Sequence, residues 1–240
     1  MSHINSSIRV FVFAISLLLL QITCGAAELT PHSAVYKIKI SVLGGELRTH
    51  LQKLENGYRA ESSIEATGMS RLIAHGAIRE SSVFYLSDEG LRPAEFNSDD
   101  TLSKGGETVD FRFDWDANEI TGTIDGAEFQ TPLEGIVHDR VSLQFGLMHD
   151  LINGIHRDAY KLQDAETLKP LAITNIGAKR VKVPFGQFDV IGIQHQSEGS
   201  SRKTTLWVAE SLGYLPVIIE QHRNGKLQVR AMLTEYTPEP

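Results

Sequence analysis

The sequence has one cysteine, Cys24, in 240 residues. It lies in Gln21 to Glu28, just after the apolar run Val10 to Leu20. If the residues ahead of Glu28 are removed, no cysteine is left. Disulfides, a thiol nucleophile and a cysteine-ligated metal are then all excluded. Basic residues are scarce too: 23 Lys and Arg stand against 30 Asp and Glu, a formal net charge of −7. A chain of that sign has no long-range attraction for nucleic acid phosphates or anionic lipid heads. No nucleic acid partner is expected. Arg202-Lys203 and Lys179-Arg180 are each too small to make a basic patch. After Leu20 there is no long apolar run, and the run itself is shorter than the roughly 20 residues that cross about 30 Å of hydrocarbon. An integral membrane protein is therefore not expected. A Gly-x-x-x-x-Gly-Lys-Ser/Thr phosphate loop and a His-Glu-x-x-His zinc helix are also missing. No cofactor and no resident metal are predicted.

What the N-terminus does contain is an address. Met1 to Arg9 is polar with one basic side chain, Arg9; an apolar stretch and the small residues Gly25, Ala26 and Ala27 follow. This is the order of a secretory signal peptide. Cleavage before Ala27 or Glu28 removes Cys24. Gln21 and Thr23 fit lipoprotein processing poorly, because that reaction prefers an aliphatic residue three before the cysteine and a small one directly before it. The expectation is a cleaved signal peptide over 1–27, one β-rich domain over 28–240, and a periplasmic location.

Period-two alternation runs through the rest. Tyr36, Ile38, Ile40 and Val42 alternate with polar neighbours. Val109, Phe111, Phe113 and Trp115 alternate with Asp110, Arg112 and Asp114. Successive strand side chains point to opposite faces, so these are strands with one buried and one wet face, as in an antiparallel sheet. Further strands are predicted over 46–54, 58–66, 76–86, 91–97, 120–124, 127–131, 171–182, 187–196, 203–209, 215–222 and 226–236. Gly44-Gly45, Asn56-Gly57, Asp88-Glu89-Gly90, Asp116-Ala117-Asn118, Asp125-Gly126 and Asn224-Gly225 read as hairpin connections. One segment departs from the pattern. Val141, Phe145, Met148 and Ile152 recur at helical spacing, flanked by Leu143, Leu147 and Leu151. A helix over about 139–154 is predicted, capped by Asp139 and ended by Gly154. The fold class is mainly β: a curved antiparallel sheet or open β-barrel with one packed helix. A short helical or loop excursion is expected over Met69 to His75.

The motifs that carry chemistry are weak. Gly68-Met69-Ser70-Arg71-Leu72 lacks the last glycine of a nucleophile elbow. Asp114, Asp116 and Asn118, with Asp125, have calcium-loop spacing, but Glu119 replaces the turn glycine; a polar hairpin tip is the simpler reading. His138, His149 and His156 read as exposed histidines around the helix. Glu61 and Glu65 read as a solvated strand face. The sharper possibility is an apolar ligand cavity walled by Phe111, Phe113, Trp115 and Trp207, with Met69 and Leu72 as a lid.

Several features occur in an order that resembles a family. Tyr36-Lys37-Ile38 leads to Gly44-Gly45, and His138-Asp139-Arg140-Val141-Ser142 leads into the helix. Then come Val183-Pro184-Phe185-Gly186-Gln187-Phe188, Arg202 to Ala209, and Leu215-Pro216-Val217. Together they resemble the bacterial envelope proteins catalogued as domain of unknown function 3108. The resemblance implies an exported β-rich protein of Gram-negative bacteria and no particular reaction. The function expected is a non-enzymatic binder or carrier of an apolar or amphiphilic envelope component, with a lipid as partner. The alternatives are an assembly factor with an envelope protein partner, and then a hydrolase built from distant strands.

Overall fold

Alternation in the sequence becomes a pleat along almost the whole chain. The computed structural model describes residues 27–40 and 42–239. The predicted signal peptide and Cys24 lie outside the described residues, apart from Ala27. The first strands are β1 (His32–Ile40), β2 (Leu43–Leu54), β3 (Gly57–Ala66), β4 (Ala77–Ser87) and β5 (Gly90–Asp100). Next are β6 (Glu107–Asp114), β7 (Glu119–Ile124), β8 (Ala127–Pro132) and the short β9 (Val137–His138). After helix α1 (Ser142–Ile152) come β10 (Ala159–Asp164), β11 (Thr167–Val183), β12 (Gly186–Ser197), β13 (Arg202–Ala209), β14 (Leu215–Arg223) and β15 (Lys226–Pro238).

All the strands join one 15-stranded sheet, ordered β8 down to β1, then β15 down to β9. Every pairing is antiparallel except β9 with β10. The two free edges, β8 and β9, are consecutive in the chain. Five peptide steps from Pro132 to Val137 span at most about 18 Å, so the sheet must curl back until its edges approach. Thr131 Oγ1 on β8 donates to Glu166 O on the β10–β11 turn at 3.2 Å, and among the described residues no ladder pairs β8 with β9. This is an open barrel, as the sequence predicts.

The hairpins follow turn chemistry. Asp125-Gly126 and Asn224-Gly225 carry positive φ at both residues (50° and 83°, 50° and 73°), which tight hairpins require. Gly44-Gly45 is a correction. Both glycines are inside β2, where the Gly44 N–H bonds Ser70 Oγ at 2.8 Å and its carbonyl accepts the Thr67 N–H at 3.0 Å. They make room for the 3-10 turn Gly68–Leu72 rather than for a hairpin. Ser70 is thereby a buried structural acceptor, not a nucleophile.

The helix is shorter than predicted, but its signals act where expected. Asp139 sits ahead of it, accepting the Val141 and Ser142 N–H groups at 2.8 and 2.7 Å. Gly154, at φ 68°, ends it, and the Ile155 N–H returns to the Asp150 carbonyl at 2.7 Å. Nine of its 11 residues are buried, so it has no wet face. Phe145 packs on Phe84 of β4, with ring centroids 5.6 Å apart. Leu143, Leu147 and Leu151 pack with Tyr160, Leu171, Ile193 and Leu206 on the other half of the sheet. The helix thus occupies the interior and joins both halves. At that end Asn153 also holds the Ala27 backbone, and Leu29 is buried in the core. Among the described residues no helix is long and apolar enough to cross a membrane.

Candidate functional site

The helix fills one end of the interior and leaves the other end to polar side chains. Ala34, Thr49, Ser62, Glu80, Ser98 and Val109 are directly paired in succession across β1 to β6. They share the pleat face of the core residues Tyr36, Leu51, Phe96 and Phe111. A row of hydroxyls and one carboxylate therefore crosses an otherwise apolar face. Thr49 Oγ1 and Ser98 Oγ are buried there without a hydrogen-bond partner among the described residues. Such orphans call for a water or a ligand atom.

Arg140, between β9 and the helix, reaches this row. Its Nε lies 2.9 Å from Glu80 Oε1, and a second guanidinium nitrogen is 3.5 Å from Asp164 Oδ1. The guanidinium also stands 5.3 Å over the Phe96 ring. Lys169 Nζ is 2.5 Å from Asp164 Oδ2. This chain of charges links β4 in one half of the sheet to β10 and β11 in the other. Burial pushes the Glu80 carboxyl above its usual range, against the pull of Arg140. Beside Arg140 a concavity of about 690 Å³ opens along β10 to β14, with Asp164, His195, Thr204, Gln221 and Arg223 among its lining. Burial alone pushes His195 down to about 4, so it is a neutral imidazole at pH 7.

A larger trough, about 740 Å³, crosses β1 to β6 between two ranks of alternate side chains. One rank is Ser33, His50, Glu61, Ser81, Asn97 and Asp110; the other is Val35, Arg48, Ser63, Arg79, Asp99 and Thr108. These point away from the core residues and are mostly short and hydrophilic. Glu61 belongs to the solvated face that the sequence predicts.

A third polar group is sealed in at the end of the helix. Asp150 Oδ2 accepts from Tyr160 OH and Arg157 Nε, both at 2.6 Å, and Asp150 Oδ1 is 3.6 Å from His149 Nδ1. His138 packs edge-on against Tyr160, with centroids 5.4 Å apart. His149 and His138 are thus buried, which corrects the expectation of exposed histidines; His156 alone is exposed. The helical phase of His149 with Phe145 was the available signal; two-residue β9 offers none for His138. Burial pushes His138 down to about 4, with Asp150 resisting the shift. Burial works against the Asp150 charge, yet the contacts from His149, Tyr160 and Arg157 bring its carboxyl below the usual range. Asp150, His149, His138 and Tyr160 are almost inaccessible, and the group binds the helix to β10 and to the β4–β5 turn, where the half-buried Arg157 donates to Glu89 O at 2.8 Å.

These histidines set a pH dependence. A histidine whose folded pKa lies below its unfolded value stabilises the fold above the unfolded pKa, and that stability is lost as pH falls toward the folded one. For His138 and His195 the window runs from about 6.5 down to about 4. The expected loss is about 2–3 kcal/mol for each histidine, partly offset by Glu80 and Asp139, whose raised carboxyl pKa values favour the fold as pH falls. Denaturant melts across this range should show the decline, and His195→Gln should remove about one proton of its slope. A stability that is flat from pH 7 to 4.5 would contradict these burials.

The residues proposed from the sequence as cavity wall and lid do not form one pocket. Phe111 and Phe113 pack against each other at 5.4 Å within the core, and Phe96 stacks on Phe111 at 4.8 Å. Trp115, at the end of that face, donates from Nε1 to Pro93 O at 2.7 Å and carries Arg92 over its ring. Trp207 is on β13, bonded to Glu220 Oε2 at 3.2 Å, with Lys179 Nζ 3.3 Å above its ring. Met69 and Leu72 lie exposed at the opposite end of the sheet from Trp115. The calcium-like spacing also separates: Asp114 accepts the Asp116 and Ala117 N–H groups at one end of β7, while Asp125 holds Thr108 N at the other.

The family model described as "Protein of unknown function (DUF3108)" matches residues 33–234. The chain belongs to the DUF3108 family. No curated protein matches its sequence. Among solved structures, this DUF3108 chain is similar to a β-barrel-like protein of domain of unknown function DUF1849 from Brucella abortus. The two are 12% identical, with a TM-score of 0.61 over 89% of this chain and 99% of the other. At that identity the likeness concerns the fold alone. It agrees with the open barrel seen in the DUF3108 chain.

Proposed function

We propose that this protein is an exported binder or carrier of an amphiphilic component of the cell envelope. The polar end of the interior is where such a molecule would lodge. The observation that carries the reading is the Arg140 network beside the row Thr49, Ser62, Glu80 and Ser98. It offers a polar head cations, carboxylates and unpartnered hydroxyls. Leu47, Ile64 and Ile78, one pleat step further along the same face, are half-buried and offer its apolar part a wall. Pockets for small ligands combine such apolar walls with a few placed polar groups. Phe111 and Phe113 enter this reading only as the core that supports the row.

The signal-peptide order of the N-terminus supports export. The test is to purify the protein gently from its native envelope and take an intact mass and a lipid extract from one sample. The expected result is a chain starting at Ala27 or Glu28 with a stoichiometric amphiphile. Arg140→Ala should weaken uptake of an amphiphilic probe about tenfold, as expected when a charge-assisted contact is lost. Clean protein that takes up no such probe would refute the binder, and an acylated Cys24 would refute simple cleavage.

A second reading, an envelope assembly factor, is favoured by the hydrophilic trough across β1 to β6. It predicts a specific protein partner cross-linked through Asn97 or Ser81 and an interior that takes no ligand. The Asp150 group gives the hydrolase reading no support, because its carboxylate, hydroxyl and imidazoles are buried.

A further inference from the structure

The turns at the polar end of the sheet carry side chains that the fold leaves unexplained. β3, β2, β1, β15 and β14 are successive neighbours, so the β3–β4, β1–β2 and β14–β15 connections lie side by side. On them Val42 is 92% exposed, Met69 79%, Ile73 72% and Leu72 68%, with Ile40 and Leu227 also exposed. These six aliphatic side chains belong to one end of one sheet. Single exposed apolar residues need no explanation, but a contiguous group on neighbouring turns marks a contact surface.

The same rim holds a second anomaly. Arg202 on β13 pairs directly with Arg223 on β14, which pairs with Lys226 on β15. Like charges directly opposite one another on a sheet are destabilising. Among the described residues none of the three makes an ion pair. Arg71, on the 3-10 turn between Ser70 and Leu72, adds a further cation within the aliphatic sector. Neither Arg202-Lys203 nor Lys226 is a basic patch in sequence; the β-ladder assembles one. Of the acids at this end, Glu46 and Glu65 in the aliphatic sector are ion-paired with Arg48 and Arg79, Asp100 and Glu107 flank the β5–β6 turn, and Asp125, Glu166 and Glu198 are on the β7–β8, β10–β11 and β12–β13 turns.

We infer that this rim docks on the surface of an anionic phospholipid bilayer. The aliphatic side chains would enter the boundary between headgroups and acyl chains, and the cations would sit among the phosphates. Exposed aliphatics beside unpaired cations are the two signals that interfacial binding combines. A protein partner would need anionic and apolar chemistry in the same places; the bilayer surface supplies both over any width. The inference does not require the interior to hold a ligand, so it stands or falls apart from the carrier reading.

The test is flotation of the purified protein with phosphatidylcholine vesicles, with and without phosphatidylglycerol, at low and high salt. Two variants are compared: Met69→Ser/Leu72→Ser/Ile73→Ser, and Arg202→Gln/Arg223→Gln/Lys226→Gln. All are surface changes, and a thermal melt confirms that both fold. The expected result is binding that requires phosphatidylglycerol and is lost near 1 M salt, where screening acts within about 3 Å. The charge variant should bind about 100-fold more weakly, from three basic residues near an anionic surface. The serine variant should also lose binding. As a direct readout, Leu72→Trp should show a blue-shifted emission on anionic vesicles only. No binding at low salt would overturn the inference. So would binding that survives both variants, which would place it elsewhere on the protein. Self-association lost in the serine variant, without vesicle binding, would assign the rim to a second copy of the chain instead.

Discussion

Asp150→Ala is expected to cost about 3–5 kcal/mol of folding stability, the range for removing one member of a buried ion pair. The carboxylate is the common acceptor for Arg157 and Tyr160. Without it Arg157 retains only the Glu89 carbonyl, and the Tyr160 hydroxyl is left unsatisfied in the core. Asp150→Asn should recover part of the loss, because an amide oxygen still accepts from Tyr160. A denaturant melt measures both. A change below about 1 kcal/mol for alanine would mean that the group is wet, against its burial here.

Gly122→Val should damage a different region as severely. Gly122 faces Phe111 across β6 and β7. A Cβ there would stand 2.1 Å from the Asp110 carbonyl oxygen and 2.4 Å from Phe111 Cβ. Those are backbone and near-backbone atoms, which cannot swing aside. The β6–β7 ladder would have to part, and with it the hairpin to β8 at the sheet edge. The expected loss is at least about 3 kcal/mol, the upper range for overpacking. Protection of the β7 and β8 amides from hydrogen exchange should fall before that of β1 to β4. Uniform protection across β1 to β8 in this variant would contradict the close approach.

Most of the sheet was legible because two independent signals coincide along it: side-chain alternation and turn residues that accept positive φ. Asn224-Gly225 and Asp125-Gly126 announced their hairpins, and Asp139 and Gly154 announced the helix. The misses have separate causes. β9 has two residues, too few to show a period, and β10 reads Ala-Tyr-Lys-Leu-Gln-Asp, where only Tyr160 and Leu162 alternate. Gly44-Gly45 imitated a hairpin because glycine also serves where another segment lies close to the backbone. Gly122 carried the same meaning within a strand pattern.

The interior was harder to read. Thr49, Ser62, Glu80 and Ser98 come from four strands, and only pairing register brings them into a row. Arg140 looks like any polar residue beside a helix until the curl of the sheet puts Glu80 and Asp164 within its reach. The aromatic face Phe111-Phe113-Trp115 was legible as a face. Whether it lined a cavity depended on what stood opposite it.

The placing of β1 beside β15 has a consequence for the order of folding. The first strand of the sheet lies at its middle, and one of its two edges waits for the last 13-residue strand. Until Lys226 to Pro238 arrive, the chain holds two unconnected half-sheets, each with an unprotected inner margin. The C-terminal strand is therefore the keystone, and a chain that stops short of it would offer those margins to other chains.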